Sequence, residues 1–324
     1  ITKIKKKYFN ILIMSLEKKK KKHHSIIKKK FKKFKILIIS KHLKTKLQFK
    51  NLKTAKFSKA IICTPATDHI KNILEIIKLN RKIDLMVEKP LSDKIIKNNN
   101  ILKIKSFLKS KNSKLQVGYC LRYHPITEFL KKFVKKNDNE ILETSIITNS
   151  YLPNWRKGDY KKQVSSKKEL GGGVLNELSH ELDLMIYLYG NPEKVISNVN
   201  NSKLLDINVE DNANILFYYK KISHVSMHLD FNSFIERQII EIKTKKYFLI
   251  ADFIKKKILI KSKNSYYEKY FKLKENEIYY NQLKDFLTFK KSNSIDNLKS
   301  SNNITKMIYE IKKSHRLGKI INLR

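Results

Sequence analysis

The apolar positions of this chain fall into two rhythms. In its first third, short unbroken apolar runs at Phe9–Met14, Phe34–Ser40, Lys59–Cys63, Leu85–Val87 and Leu115–Leu121 read as strands. Between them, Lys18–Lys33 has helical capacity, Ile70, Ile73, Leu74 and Ile77 mark one helix face, and Lys94–Leu108 predicts another helix. Strand–helix–strand units of this size predict a doubly wound parallel sheet. From Pro125 onward the rhythm changes. Ile141–Ser150, Asn214–Tyr219, Ile222–Asp230 and Gln238–Ile242 predict strands of a large, mostly antiparallel open sheet. Glu277–Phe289 and Ile304–Ser314 predict helices, Lys319–Leu323 a final strand, and the polar Lys291–Asn302 a flexible connection. The fold class is α/β, with a first domain over 8–124 and a second, α+β domain over 125–324.

One helix stands apart. Val174, Leu175, Leu178, Leu182, Met185, Ile186 and Tyr189 form a single stripe, and Gly190 with Pro192 supplies the stop. His180 is expected on the opposite side, with Glu177 one turn earlier and Asp183 one turn later. The helix opens on Gly171, Gly172 and Gly173, three of only 7 glycines in 324 residues. A run without Cβ atoms admits backbone close to a neighbour or a ligand. Taken alone, this is an ordinary core helix with a surface histidine.

Composition narrows the picture less than it first suggests. The formal charge is +42, but the basic residues are spread along the chain and are nearly all lysine. That distribution fits coding bias in an AT-rich genome better than a polyanion-binding face, which would use arginine forks, so no specific nucleic acid is expected. Cys63 and Cys120 lie in apolar runs, as reduced thiols of a cytoplasmic protein would, and no metal-ligand spacing is present. No apolar run reaches the length of a membrane span. Phe9–Leu16 after a basic start mimics a signal peptide, but a lysine run follows where a cleavage site should be.

The segment Leu85-Met86-Val87-Glu88-Lys89-Pro90 changes the reading of the glycine-led helix. A strand ending in Glu-Lys-Pro, preceded by Thr64-Pro65 and His69 and followed far downstream by Gly171–Gly173, Glu177 and His180, resembles the Gfo/Idh/MocA family of nicotinamide-dependent sugar and polyol oxidoreductases. The resemblance runs from roughly residue 10 to 323 and implies a Rossmann-like first domain that binds NAD or NADP, with a hairpin at Lys243–Lys246 in the second. It places Ser15, Leu16, Thr64, Pro65, His69, Glu88, Lys89 and Arg122 at the cofactor. It implies that Lys89 polarises the substrate oxygen, His180 exchanges the proton and Glu177 orients His180. Ser15, Glu17 and Lys20 stand where the family has the glycines that admit a pyrophosphate, which implies weakened dinucleotide affinity. Lys41 stands where an acid would take the ribose: it either meets a 2′-phosphate or is one more lysine.

The only tryptophan lies in Tyr151–Tyr160, with Arg156 beside it; this is a substrate loop or a structural loop capped by Trp155. Trp155, Arg156 and Asp183 are the substrate candidates. The expected function is hydride transfer at a carbinol or carbonyl carbon of a sugar, sugar nucleotide or polyol, without a metal, by a homo-oligomer joined through the open sheet. The alternatives are a decayed, cofactor-free scaffold and, on charge alone, a nucleic-acid-associated protein.

Overall fold

The computed structural model describes residues 9–15, 17–39, 52–288 and 298–323. They form two compact units, Ile1–Gly118 with Tyr279–Asn302, and Tyr119–Ile278 with Asn303–Arg324. The first unit is built on five strands: β1 (Phe9–Ser15), β2 (Phe34–Ile39), β3 (Lys59–Cys63), β4 (Asp84–Val87) and β5 (Leu115–Val117). They lie in the order β2-β1-β3-β4-β5 and every neighbouring pair is parallel. Ile11, Leu12, Ile13 and Met14 are all fully buried, so both faces of β1 are covered, which is why these strands read as unbroken apolar runs.

Helices α1 (Glu17–Lys30), α2 (Ala66–Ile77) and α3 (Asn98–Ser110) connect the strands. A fourth, α7 (Glu277–Thr288), arrives from far downstream, after three helices of the second unit. Its Leu283, Phe286 and Leu287 join Ile11, Ile13, Ile27, Ile61, Cys63 and Met86 in one core cluster. Burying each such side chain is worth about 1.5–3 kcal/mol. The helix is also pinned by polar contacts: Lys59 Nζ donates to Asp84 at 2.8 Å and lies 5.2 Å from the Phe286 ring centre. Phe31 of the α1–β2 turn stacks on Tyr280 at 5.4 Å.

Two boundaries differ from the sequence pattern. The helix expected from Lys94 begins at Asn98, because the Ser92 hydroxyl accepts the Lys94 N–H and holds a turn there instead. The strand expected to reach Leu121 stops at Val117. There Gly118 donates to the Val87 carbonyl and passes so close to Glu88 that an added Cβ would sit 3.3 Å from the Glu88 Cα.

The second unit carries a nine-stranded sheet: β6 (Ile141–Tyr151), β7 (Lys194–Asn200), β8 (Asn212–Tyr218), β9 (His224–Asp230), β10 (Asn232–Thr244), β11 (Phe248–Asp252), β12 (Lys257–Lys261), β13 (Tyr266–Tyr270) and β14 (Ile321–Asn322). The order is β13-β12-β11-β10-β6-β9-β8-β7-β14, antiparallel throughout except for β6 beside β9. The turn joining β10 to β11 falls at the expected hairpin, where Thr244 Oγ1 accepts the N–H groups of Lys246 and Tyr247. Along β8, Ala213, Ile215 and Phe217 point into the core while Asn212, Asn214 and Leu216 face the other way. The covered face meets α4 (Pro125–Lys136), α5 (Val174–Glu177), α6 (Ser179–Tyr189) and the later part of α8 (Leu298–Leu317). The opposite face is open, with a shallow depression of 520 Å³ whose lining includes Ser145, Ile147, Asn214, Leu216, Ser226 and His228.

Helix α8 begins at Leu298, so part of the stretch expected to be a flexible connection is helical. Leu298 and Ser301 are buried there, and packing outweighs the weak helix propensity of Ser and Asn. The glycine-led helix is likewise not one amphipathic rod. It breaks at Leu178, and Ser179, Glu181 and Asp183 are buried along with the apolar stripe. Glu181 is buried on the sheet, where it accepts from Thr148 at 3.1 Å and Gln238 at 2.9 Å.

Candidate functional site

The candidate residues form two groups, one in each unit. In the first unit they sit at the carboxyl edge of the parallel sheet. Ile62 pairs with Val87, and the Glu88 N–H continues that ladder to the Ile62 carbonyl at 2.9 Å, so Cys63, Thr64 and Glu88 emerge side by side. Ser15, the last residue of β1, pairs with Cys63 at the same edge. The side chains of Ser15, Glu17 and Lys20, all of Leu16, and Lys41 and His42 lie outside the described residues.

The two loops at this edge are tied together by side-chain contacts to backbone carbonyls. His69 is buried, with Nδ1 2.8 Å from the Pro90 carbonyl and Nε2 2.9 Å from the Thr64 carbonyl. Both partners are acceptors only, so the ring donates to one of them when neutral and to both when protonated. Asn72 donates to Thr64 Oγ1 at 2.9 Å, and Pro65 is the residue from which α2 starts. Lys89 is buried, and the Lys89–Pro90 bond is cis. Glu88 is held from α1 by His23, whose Nε2 lies 2.7 Å from Oε1. His69, proposed from the sequence to face cofactor, thus also braces the loops, and Asn72, which periodicity assigned to no role, holds the Thr64 hydroxyl.

In the second unit the organising contacts are charged. Arg122, in a short 3₁₀ turn at Cys120–Tyr123, makes a two-pronged bond to Asp183: Nε to Oδ2 at 2.8 Å and Nη2 to Oδ1 at 2.6 Å. Its guanidinium also lies 5.0 Å from the Tyr187 ring centre, and Lys131 Nζ lies 3.5 Å from the same centre. Burial and the neighbouring Arg122 lower the Lys131 pKa, while burial raises that of Tyr187. His180 meets the Tyr119 ring edge-on at 5.9 Å and is half-buried rather than exposed on an outer helix face. Glu177 lies 4.0 Å from Arg156, which also reaches Gln163 at 3.5 Å, and Trp155 packs edge-on against Phe231 at 4.9 Å. The Trp155 loop is therefore docked onto the start of the glycine-led segment.

The glycines of that segment are required by protein packing. A Cβ on Gly172 would fall 2.6 Å from the Ser165 carbonyl oxygen and closer still to that of Val164. Gly173 has φ +105, and a Cβ there would run into the Glu210 carboxylate. The close approach anticipated from the glycine run is made to the 164–166 turn and Glu210.

A dinucleotide is tested against this geometry at the first unit's edge. In the strand order, the connection from β1 to β2 runs one way and that to β3 the other, so the switch point lies between β1 and β3, where a doubly wound sheet receives its ligand. Thr64, Glu88 and Lys89 stand at that edge with polar side chains to offer a dinucleotide, while the side chains of the β1–α1 turn lie outside the described residues.

Residues 140–247 match the model of the GFO/IDH/MocA C-terminal domain. A search of curated protein sequences finds no match. Among solved structures, the chain is similar to levoglucosan dehydrogenase in complex with NADH and L-sorbose, with a TM-score of 0.81, 13% identity, and coverage of 98% of this chain and 99% of that one. It is similar to the WlbA dehydrogenase from Bordetella pertussis in complex with NADH and UDP-GlcNAcA, with a TM-score of 0.77, 15% identity and coverage of 98% and 99%. It is also similar to a super-repressor mutant of Gal80p from Saccharomyces cerevisiae, with a TM-score of 0.78, 14% identity and coverage of 98% of each chain. The fold is thus shared along nearly the whole chain, and the resemblance to the Gfo/Idh/MocA oxidoreductase family read from the sequence is borne out.

Proposed function

We propose that this chain is an NAD(P)-dependent oxidoreductase acting on a carbinol or carbonyl carbon of a sugar, sugar nucleotide or polyol in the cytoplasm. The observation that carries the reading is the register of β3 on β4, ending at Ile62 and Val87, which brings Thr64-Pro65 and Glu88-Lys89 out side by side at the carboxyl edge of the parallel sheet, bridged by His69. A bound nicotinamide supplies the hydride acceptor or donor; the chain's residues handle the oxygen and its proton. Ser15, Leu16, Thr64, Pro65, His69, Glu88 and Arg122 hold the cofactor. Lys89 polarises the substrate oxygen, and His180 takes its proton on oxidation and returns it on reduction. Glu177 and Arg156, paired at 4.0 Å, and Trp155 shape the substrate side. Asp183 serves there through its hold on Arg122. The open sheet face is read as a self-association surface.

A second reading, a cofactor-free scaffold, is favoured by Glu17 at a position where the family has glycine. The two separate on one titration. Full-length protein is mixed with NADH and with NADPH, following the fluorescence of Trp155 and of the nicotinamide. Saturable binding of either supports the enzyme; no binding of both replaces it with the scaffold.

A further inference from the structure

We propose that His23, Cys63 and Glu88 form a binding site for a divalent transition-metal ion, best matched to Zn²⁺. One ligand atom from each, a nitrogen, a sulfur and an oxygen, lie within 4.8 Å of one another. The placement follows from elements already described. Cys63 closes β3 and Glu88 follows β4, on adjacent parallel strands. His23 lies one turn before Ile27, which shares the core cluster with Cys63, so α1 turns the imidazole toward the same sheet end.

His23 and Cys63 are each 2% exposed and the Glu88 side chain 13%, so the group is closed except on the carboxylate side. Cys63 is not in a disulfide. His23 Nε2 faces the Glu88 carboxylate, while Nδ1 is buried with no hydrogen-bond partner among the described residues, so turning the ring breaks no bond on that side. Leaving such an atom unmet costs about 1–3 kcal/mol. The ring is tied only through the Glu88 bond and can turn a nitrogen to an ion by giving up that one contact.

Ligand chemistry selects the ion. Mg²⁺ and Ca²⁺ favour all-oxygen shells, whereas one imidazole, one thiolate and one carboxylate suit a borderline-soft ion with a fourth position left for water. Bonds of about 2.0–2.3 Å in a tetrahedral arrangement put ligand atoms about 3.3–3.7 Å apart. The 2.7 Å contact between His23 and Glu88 then opens by roughly half an ångström, and a pair at the 4.8 Å limit closes by about one ångström. On binding, the Cys63 thiol proton is released to solvent as the sulfur–metal bond forms. The inference does not depend on the oxidoreductase reading, and its test uses no nicotinamide.

Full-length, reduced protein is titrated with Co²⁺ at neutral pH, reading thiolate-to-cobalt charge-transfer absorption. The expected result is one cobalt per chain with that band, displaced by Zn²⁺. Cys63→Ser abolishes the band, Cys120→Ser keeps it, and His23→Gln weakens binding at least as much as losing an outer-shell partner does, about 10–100-fold. Absence of the band in the parent protein overturns the proposal whatever the variants do. So does a band that survives Cys63→Ser or vanishes in a normally folded Cys120→Ser, with folding checked by circular dichroism. Cobalt bound without thiolate absorption is binding at surface histidines and also overturns it.

Discussion

The two residue groups are held in place by opposite means. At the first unit's sheet edge, His69 braces two loops through backbone carbonyls and Asn72 fixes Thr64 through an amide, and only Glu88, held by His23, brings a carboxylate. In the second unit, position comes from buried or half-buried ion pairs, Arg122 with Asp183 and Arg156 with Glu177. The difference explains an oddity of composition. Lysine supplies nearly all of the cations of this chain, while both of these pairs use arginine. A guanidinium can answer both oxygens of one carboxylate and lie over an aromatic ring, as Arg122 does with Asp183 and Tyr187, and a lysine ammonium cannot.

The largest effects test whether both groups serve catalysis. His180→Ala is expected to lower turnover by about 10²–10⁴-fold, the range for losing a positioned general base. Lys89→Ala is expected to be comparably damaging, whereas substituting the exposed Lys94 leaves the rate unchanged. Steady-state rates with either nicotinamide cofactor decide it, and a near-normal His180→Ala enzyme would remove that residue from the mechanism.

Next comes stability, where the contrast can be broken directly. Asp183→Ala leaves the Arg122 charge uncompensated and is expected to cost about 3–5 kcal/mol in urea unfolding. His69→Phe at the sheet edge is expected to cost less, about 1–3 kcal/mol, because what it strands are carbonyl acceptors. Equal losses would mean the two groups are not held differently. Gly172→Ala, which drives a methyl into the 164–165 carbonyls, is expected to lose about 1–3 kcal/mol by overpacking.

The smallest effect is with pH. Burial, with a contribution from Lys256, lowers the pKa of His124 from 6.5 to about 4, and its Nδ1 accepts the Ile126 N–H at the start of α4. Folded protein therefore binds fewer protons than unfolded protein between those values, so stability is full above pH 6.5 and declines as pH falls toward about 4. His124→Asn, which keeps a capping acceptor but cannot titrate, should show a flatter decline in denaturant midpoint between pH 7 and pH 5.

The parallel sheet was legible because a strand buried on both faces has no room for polar residues, and Ile11–Met14 and Ala60–Cys63 have none. The same logic failed for the glycine-led segment. Its stripe predicted one wet face, but Glu181 finds Thr148 and Gln238, and Asp183 finds Arg122, all many residues away. A polar residue buried with a distant partner looks like a surface residue in a linear pattern. Likewise, the amphipathic spacing of α7 announces a buried face without saying which sheet it covers. The Ser92 turn and the Gly118 approach to Glu88 are decided by single hydrogen bonds and a missing Cβ, which periodicity does not register.

That origin of α7 sets the order of events at the ribosome. The strands that Leu283, Phe286 and Leu287 cover are all made within the first 118 residues of the chain. At synthesis rates of about 5–20 residues per second, tens of seconds at the slow end pass before α7 emerges. During that interval the face that α7 completes is covered only in part, by α1 through Ile27, so its remaining apolar surface is open to neighbouring chains on the polysome.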